Sequence, residues 1–249
     1  MSHRLMSRNF ELLRRAGWGE EYLEGIPTPS PAKRSPSAKR PNPARPTDRI
    51  SALVQKLFLG SGTPQIRCVV FLGCAGSGGG TPVCARAART LGEQVDDRVC
   101  VVDAKFEDPS VHRFFEKDNL AGLRDAVEHS RGGENFAKQV EDTNLWVLPA
   151  GAPEKGRRGS ISQRSLAACL EQLRTDFPYM LIDAPPLSSK SELSALAHVS
   201  DGAVLVVDSS GVTADAALRG RARLRKANLR LLGMVLNQGQ TTFPGSLGN

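Results

Sequence analysis

No run of apolar residues in this 249-residue chain approaches the roughly 18 that a membrane-spanning helix needs. The N-terminus carries Arg4 and Arg8 with no hydrophobic stretch behind them, so it does not read as a secretory signal. None of the five cysteines, Cys68, Cys74, Cys84, Cys100 and Cys169, stands at CxxC spacing, and most lie in apolar runs. That pattern fits free core thiols in a reducing compartment. His112 has no second histidine or cysteine at ligand spacing, which argues against a transition-metal site. Tyrosine is scarcer still, with only Tyr22 and Tyr179. Acidic residues are missing altogether between Ile26 and Thr47. Together these absences predict a cytoplasmic chain with a basic, unstructured stretch near its start.

That stretch holds much of the net charge of +7, in Lys33, Arg34, Lys39, Arg40 and Arg45, together with seven prolines from Pro27 to Pro46. Its composition cannot bury enough surface to offset the entropy of ordering it. Residues 1–47 therefore read as an arm plus disordered linker, in which residues 9–24 form a short amphipathic helix. The plainer role for the arm is an extended soluble linker; anionic lipid is the alternative partner, by sequence-blind Coulomb attraction. Nucleic acid is not favoured.

From residue 48 the pattern changes. A helix is expected at 48–58, and apolar, β-branched runs then alternate with helix-period segments: RCVVFLG from 67, RVCVVDA from 98, LWVLPAG from 145, YMLIDAPP from 179, GAVLVVDSS from 202 and LLGMVLN from 231. Near-continuous apolar strands separated by helices predict an α/β domain at 48–240, a doubly wound, mostly parallel sheet with helices on both faces, followed by a short flexible tail at 241–249. Right-handed crossovers bring every strand's C-terminal end to one edge, where open α/β sheets bind ligands. The helix at 213–226 is expected to turn Ala214, Ala217, Leu218 and Ala222 inward. Arg219, Arg221, Arg223, Arg225 and Lys226 then crowd the remaining face.

Four strand ends carry the chemistry. The first leads into GCAGSGGGTPVCARAARTL, a glycine-rich turn opening a helix, which is how backbone N–H groups are aimed at phosphates. Its companions are VVDA at 101–104, MLIDAPP at 180–186 and GMVLNQ at 233–238. A bland reading of the turn makes Thr81 an N-cap and Pro82 the first helical residue.

On these motifs, and on DPSVHRFF from 108, NLAGLRDAV from 119, NLWVLPAGAP from 144 and DGAVLVVDSSGVTADAALR from 201, the chain resembles the cytoplasmic tyrosine kinases of bacterial exopolysaccharide and capsule synthesis. These belong to the partition-and-division ATPase group of P-loop NTPases. The resemblance covers about residues 48–240. It implies that Gly76, Ser77, Gly78, Gly79, Gly80 and Thr81 cradle the phosphates of ATP or ADP. It further implies that Thr81, Asp103 and Asp183 serve Mg²⁺, and that Asn237 reads the adenine edge, unless it merely caps a turn.

The departures are as informative. The loop's lysine has become Gly80, the second aspartate of the second-strand motif has become Lys105, and Pro82 removes a backbone N–H that relatives present to the phosphates. The tail QTTFPGSLGN has no tyrosine for a neighbouring subunit to phosphorylate, and the stretch before the first strand lacks the glutamate-and-arginine spacing associated with ring assembly. Lys105 either replaces the missing cation, joining Asp103 and Asp183 as a catalytic residue, or is a solvated residue paired with Glu107. The resemblance implies a regulator with weak or no kinase turnover, peripheral at the inner membrane and docked on a polysaccharide chain-length or export protein. An ATP-dependent kinase with a rearranged cation and a scaffold without nucleotide are the alternatives.

Overall fold

The structure is a computed structural model and describes residues 46–60, 65–74, 79–129, 132–152, 161–186, 192–208 and 214–237. The arm with its expected helix, nearly all of the linker, the tail, and Gly76, Ser77 and Gly78 of the loop lie outside the described residues.

The chain enters through α1 (Pro46–Val54), which continues as a π-helical turn (Gln55–Leu59). There follow β1 (Cys68–Gly73), α2 (Gly80–Gly92), β2 (Val99–Asp103), α3 (Val111–Phe114), α4 (Leu123–Glu128), a 3₁₀ turn (Gly133–Phe136) and β3 (Lys138–Gln139). The second half runs β4 (Leu145–Leu148), α5 (Gln163–Asp176), β5 (Tyr179–Ala184), α6 (Glu192–Val199), β6 (Gly202–Asp208), α7 (Ala214–Lys226) and β7 (Leu231–Asn237).

All seven strands join one sheet in the order β3-β4-β2-β5-β1-β6-β7. The six expected runs are the six parallel strands, as a sheet covered on both faces requires. Sequence periodicity missed β3, whose two residues pair antiparallel with β4, Lys138 opposite Val147. Two residues are too few to show a period, and this short strand caps one edge of the sheet.

Side-chain alternation divides the strands between two apolar layers. Val70, Leu72, Cys100, Val102, Met180, Ile182 and Leu205 meet Leu166, Leu170 and Leu173 of α5 and Leu196 of α6. On the other face Val69, Phe71, Val101, Leu181, Val204 and Val206 meet Val83, Cys84, Ala87, Ala88 and Leu91 of α2. The strip of small residues on α2 lets it lie close to the sheet. Val54 and Phe58 of the entering segment then close over the same layer, Phe58 standing edge-on to Tyr179 at 6.1 Å between centroids. Burying Phe58 contributes about 2–3 kcal/mol. Tyr179 is thereby sealed between Phe58 and the Arg67 guanidinium, 4.3 Å from its ring, and is a packing residue.

One expected core face is corrected. In α7 the buried residues are Ala217, Gly220 and Leu224, and Ala222 is exposed. Leu224 is the larger apolar side chain and takes the inward position, which turns Ala222, two residues and about 200° away, to solvent. Arg219, Arg221, Arg223, Arg225 and Lys226 are exposed as expected.

Two of the stretches quoted above clasp each other beside the sheet. Asn119 accepts the N–H of Gly151 and donates to its carbonyl, both at 2.9 Å. Leu123 N–H donates to Pro149 O at 2.8 Å, and a Cβ on Gly122 would lie 2.0 Å from that same oxygen, so only glycine fits.

All five cysteines are free and buried. Burial pushes the Cys68 thiol up to about 12 and Cys169 to about 11, leaving little thiolate near neutrality. Ellman's reagent is therefore expected to titrate no thiol promptly in the native protein and all five in concentrated guanidinium. Prompt native reaction of even one would contradict this core.

Candidate functional site

Parallel register between β2 and β5 sets Asp103 directly beside Asp183 at the C-terminal edge of the sheet. Both carboxylates are removed from water, at 0 % and 1 % exposure. Two buried like charges side by side are costly unless each finds donors, and the two find different ones.

Asp103 is satisfied by backbone. Oδ1 accepts the N–H of Lys105 at 3.0 Å, and Oδ2 accepts those of Ser110 and Val111 at 2.8 and 2.9 Å. It pins the 105–110 loop to the strand end and seats the start of α3. Burial raises its pKa, and the three backbone hydrogen bonds, with Lys105 close by, pull it back.

Asp183 is satisfied by side chains, and only in part. Its Oδ2 accepts the Thr81 hydroxyl at 2.6 Å, while Oδ1 is buried with no hydrogen-bond partner. Burial, reinforced by the charge of Asp103, pushes its carboxyl up to about 7 against the opposing pull of Lys105 and Thr81.

Lys105 supplies the positive charge. Its ammonium donates to Thr81 Oγ1 at 2.8 Å and to Ser110 Oγ at 3.1 Å, and lies 3.8 Å from Asp183 Oδ2. Its side chain is 18 % exposed, so it belongs to the site and is not a solvated partner of Glu107. Ser110 was missed by sequence reasoning, although its motif was noted. Its hydroxyl also donates to Thr81 Oγ1 at 3.2 Å, and only the folded loop brings it there.

The bland reading of the helix start is corrected. α2 begins at Gly80 with Gly79 at the cap position, and Thr81 makes no capping bond. Thr81 is the second residue of the helix and not its cap, and its hydroxyl donates instead to Asp183. Pro82 is the third residue of α2, within the first turn, where its missing N–H has no partner in the helix anyway. Gly79 lies against Asn237 at the end of β7, and a Cβ there would meet the Asn237 amide nitrogen at 2.7 Å. A Cβ on Gly80 would lie 3.2 Å from Gly73 N and 3.7 Å from Asp183 Oδ1. Thr81, Asp183 and Lys105 are thus in mutual contact, with Asp103 and Ser110 behind them, while Asn237 stands against Gly79.

The magnesium donors inferred from the sequence, Thr81, Asp103 and Asp183, do not fit that ion in this arrangement. Mg²⁺ requires an octahedron of oxygens at about 2.0–2.1 Å. Asp103 is spent on three amides, and the Thr81 hydroxyl lies between a carboxylate and an ammonium.

A mostly parallel sheet, a glycine-rich segment leading from β1 into the buried helix α2, and Asp103 and Asp183 at the ends of the paired strands β2 and β5 define a P-loop NTPase domain. The family model described as "ParA: NUBPL iron-transfer P-loop NTPase" matches residues 66–246, and the chain belongs to the ParA family of P-loop NTPases. Among curated relatives it is 24% identical over 145 residues to the "Putative tyrosine-protein kinase CapB" of Staphylococcus aureus, covering 58% of this chain and 64% of CapB. It is 25% identical over 145 residues to the "Succinoglycan biosynthesis transport protein ExoP" of Rhizobium meliloti, covering 57% of this chain and 18% of ExoP. The chain thus spans less than two thirds of either protein.

Among solved structures, the chimerical protein CapA2B2 superposes with TM-score 0.71 at 17% identity, over 93% of this chain and 99% of that one. The septum site-determining protein MinD complexed with Mg-ADP, from Pyrococcus horikoshii, gives TM-score 0.60 at 22% identity, over 71% and 72%. These likenesses establish the fold. Among the described residues no helix is long and apolar enough to cross a membrane.

The structural weight carried by Asp103 is testable. Asp103→Ala strands three backbone N–H groups and is expected to lower stability by about 3 kcal/mol in urea denaturation, with Asp103→Asn intermediate. A loss below about 1 kcal/mol would show that the loop does not depend on this carboxylate.

Proposed function

We propose that this chain is an adenine-nucleotide-binding regulator of exopolysaccharide or capsule synthesis and export, built on a tyrosine-kinase-like domain with weak or no kinase turnover. The observation that carries the reading is the ammonium of Lys105, placed on Thr81 beside Asp183 while Gly80 carries no side chain. The lysine answers the buried Asp183 carboxylate and at the same time keeps a cation beside Thr81 at the start of α2, where a P-loop site receives phosphates. That favours nucleotide binding over a nucleotide-free scaffold.

In this reading Gly76, Ser77, Gly78, Gly79, Gly80 and Thr81 form the phosphate turn, and Asn237, against Gly79, faces the base. Lys105, Asp103 and Asp183 make up the polar end of the site. Phosphoryl transfer depends on cations positioned around the β- and γ-phosphates. Losing a desolvated lysine contact costs roughly 2–5 kcal/mol, or about thirty- to several-thousand-fold in rate. ATP would then be bound and turned over slowly, which suits a state-reporting protein better than a kinase. The relative named as the succinoglycan biosynthesis transport protein ExoP supports the polysaccharide context, and the same proposal places the chain in the cytoplasm, docked on an inner-membrane chain-length or export protein.

Thermal unfolding with ATP or ADP tests the reading. At hundredfold excess over Kd, binding adds about 2.7 kcal/mol and raises Tm by several degrees. No shift at millimolar nucleotide, with or without magnesium, would reject it. Gly80→Lys must move Gly73 or the turn by a few tenths of an ångström to seat its Cβ. It is expected to raise ATP hydrolysis at least tenfold if it folds, and a native-like variant with unchanged hydrolysis would show that the missing lysine is not what limits turnover. Failure of the chain to bind the cytoplasmic segment of a polysaccharide chain-length protein at tens of micromolar would remove the docking.

A further inference from the structure

We infer that Lys105 is a built-in cation that stands in for the divalent metal, so that ADP and ATP bind this site without magnesium. The inference rests on the nucleotide-binding reading above and concerns how the phosphate charge is met.

In a P-loop site the metal is held by the hydroxyl after the turn and by a strand-end carboxylate. In this chain those groups are Thr81 and Asp183, and the Lys105 ammonium lies 2.8 Å from the hydroxyl oxygen and 3.8 Å from the nearer carboxylate oxygen. A divalent ion entering between them would sit within a few ångströms of a fixed positive charge, beside a hydroxyl and a carboxylate buried from water, where repulsion is only weakly screened.

The ammonium is also preorganised. Lys105 is two residues past the end of β2, and its own N–H is held by Asp103 Oδ1 at 3.0 Å, so the arm starts from a fixed point. Ser110 Oγ accepts from the ammonium at 3.1 Å, and the Ser110 N–H is tied to the same Asp103 carboxylate at 2.8 Å. One buried carboxylate therefore fixes both the root of the lysine and one of the groups that aims its tip. A tethered charge acts as an intramolecular ligand and is present at the site without a separate binding event.

Donor count points the same way. An ammonium has three N–H donors and no acceptor. Thr81 and Ser110 take two, and the third faces Asp183 Oδ2 at 3.8 Å, from which a phosphate oxygen would draw it. Asp103 cannot be recruited back as a metal ligand without releasing three backbone N–H groups.

Isothermal titration of the full chain with ADP, in EDTA and in millimolar MgCl₂, tests this directly, with thermal unfolding as a second readout. The expected result is a Kd that agrees within about threefold between the two conditions. In Lys105→Met, which keeps the apolar stem and removes the charge, binding in EDTA weakens at least tenfold and magnesium recovers part of it. Should that variant not fold, Lys105→Arg replaces it and is expected to retain metal-independent binding. If the unmodified chain binds ADP only with magnesium, the inference is overturned while the nucleotide-binding reading stands. Lys105→Met binding in EDTA as tightly as the unmodified chain would also overturn it. Absence of binding under both conditions overturns both readings.

Discussion

Two carboxylates sit side by side out of water at the ends of β2 and β5, and much of the site follows from how each is compensated. Neither can be left bare, because an unpaired buried charge is among the most expensive features a protein can keep. Asp103 is answered by three backbone N–H groups and so becomes a structural anchor. Asp183 is answered by a hydroxyl and an ammonium and so stays reactive in character, with one oxygen still unpartnered. The same residue type, at directly paired positions of β2 and β5, takes up two different tasks because of what the surrounding elements deliver.

The sheet was legible because fully buried parallel strands announce themselves as uninterrupted apolar runs, and each such run in the sequence is a strand in the molecule. What escaped was whatever lacks a period. Lys138–Gln139 is too short to show one, and in α7 the competition between Leu224 and Ala222 for the inward position is settled by size, which periodicity does not weigh. At the site, Asp103, Lys105, Thr81, Asp183 and Asn237 could all be named from motifs at strand ends. Their division of labour could not. Whether Lys105 points inward or to solvent depends on how the loop that follows is tied down, and that tie is a long-range choice made by Asp103 and Ser110.

A loop with glycine at position 80 and a lysine just past the end of β2 are intelligible together in these terms. With no side chain at position 80, Asp183 takes its positive partner from an element within reach of Thr81. The root of Lys105, two residues past the end of β2, is such a position. The consequence for chemistry is that the compensating charge arises from the loop after β2, and its distance to Thr81 is set by the ties of that loop to Asp103.

The packing of α2 limits how this fold can change over time. Most of its residues are buried, and its first turn is wedged against Gly73 and Asn237. A helix so enclosed behaves as a keystone: it tolerates shortening of its own side chains but has no room to grow new ones. New chemistry at this site therefore has to be imported from the strand ends around it, which makes the loops after the strands the region where descendants of this protein can diverge in function while sharing one frame.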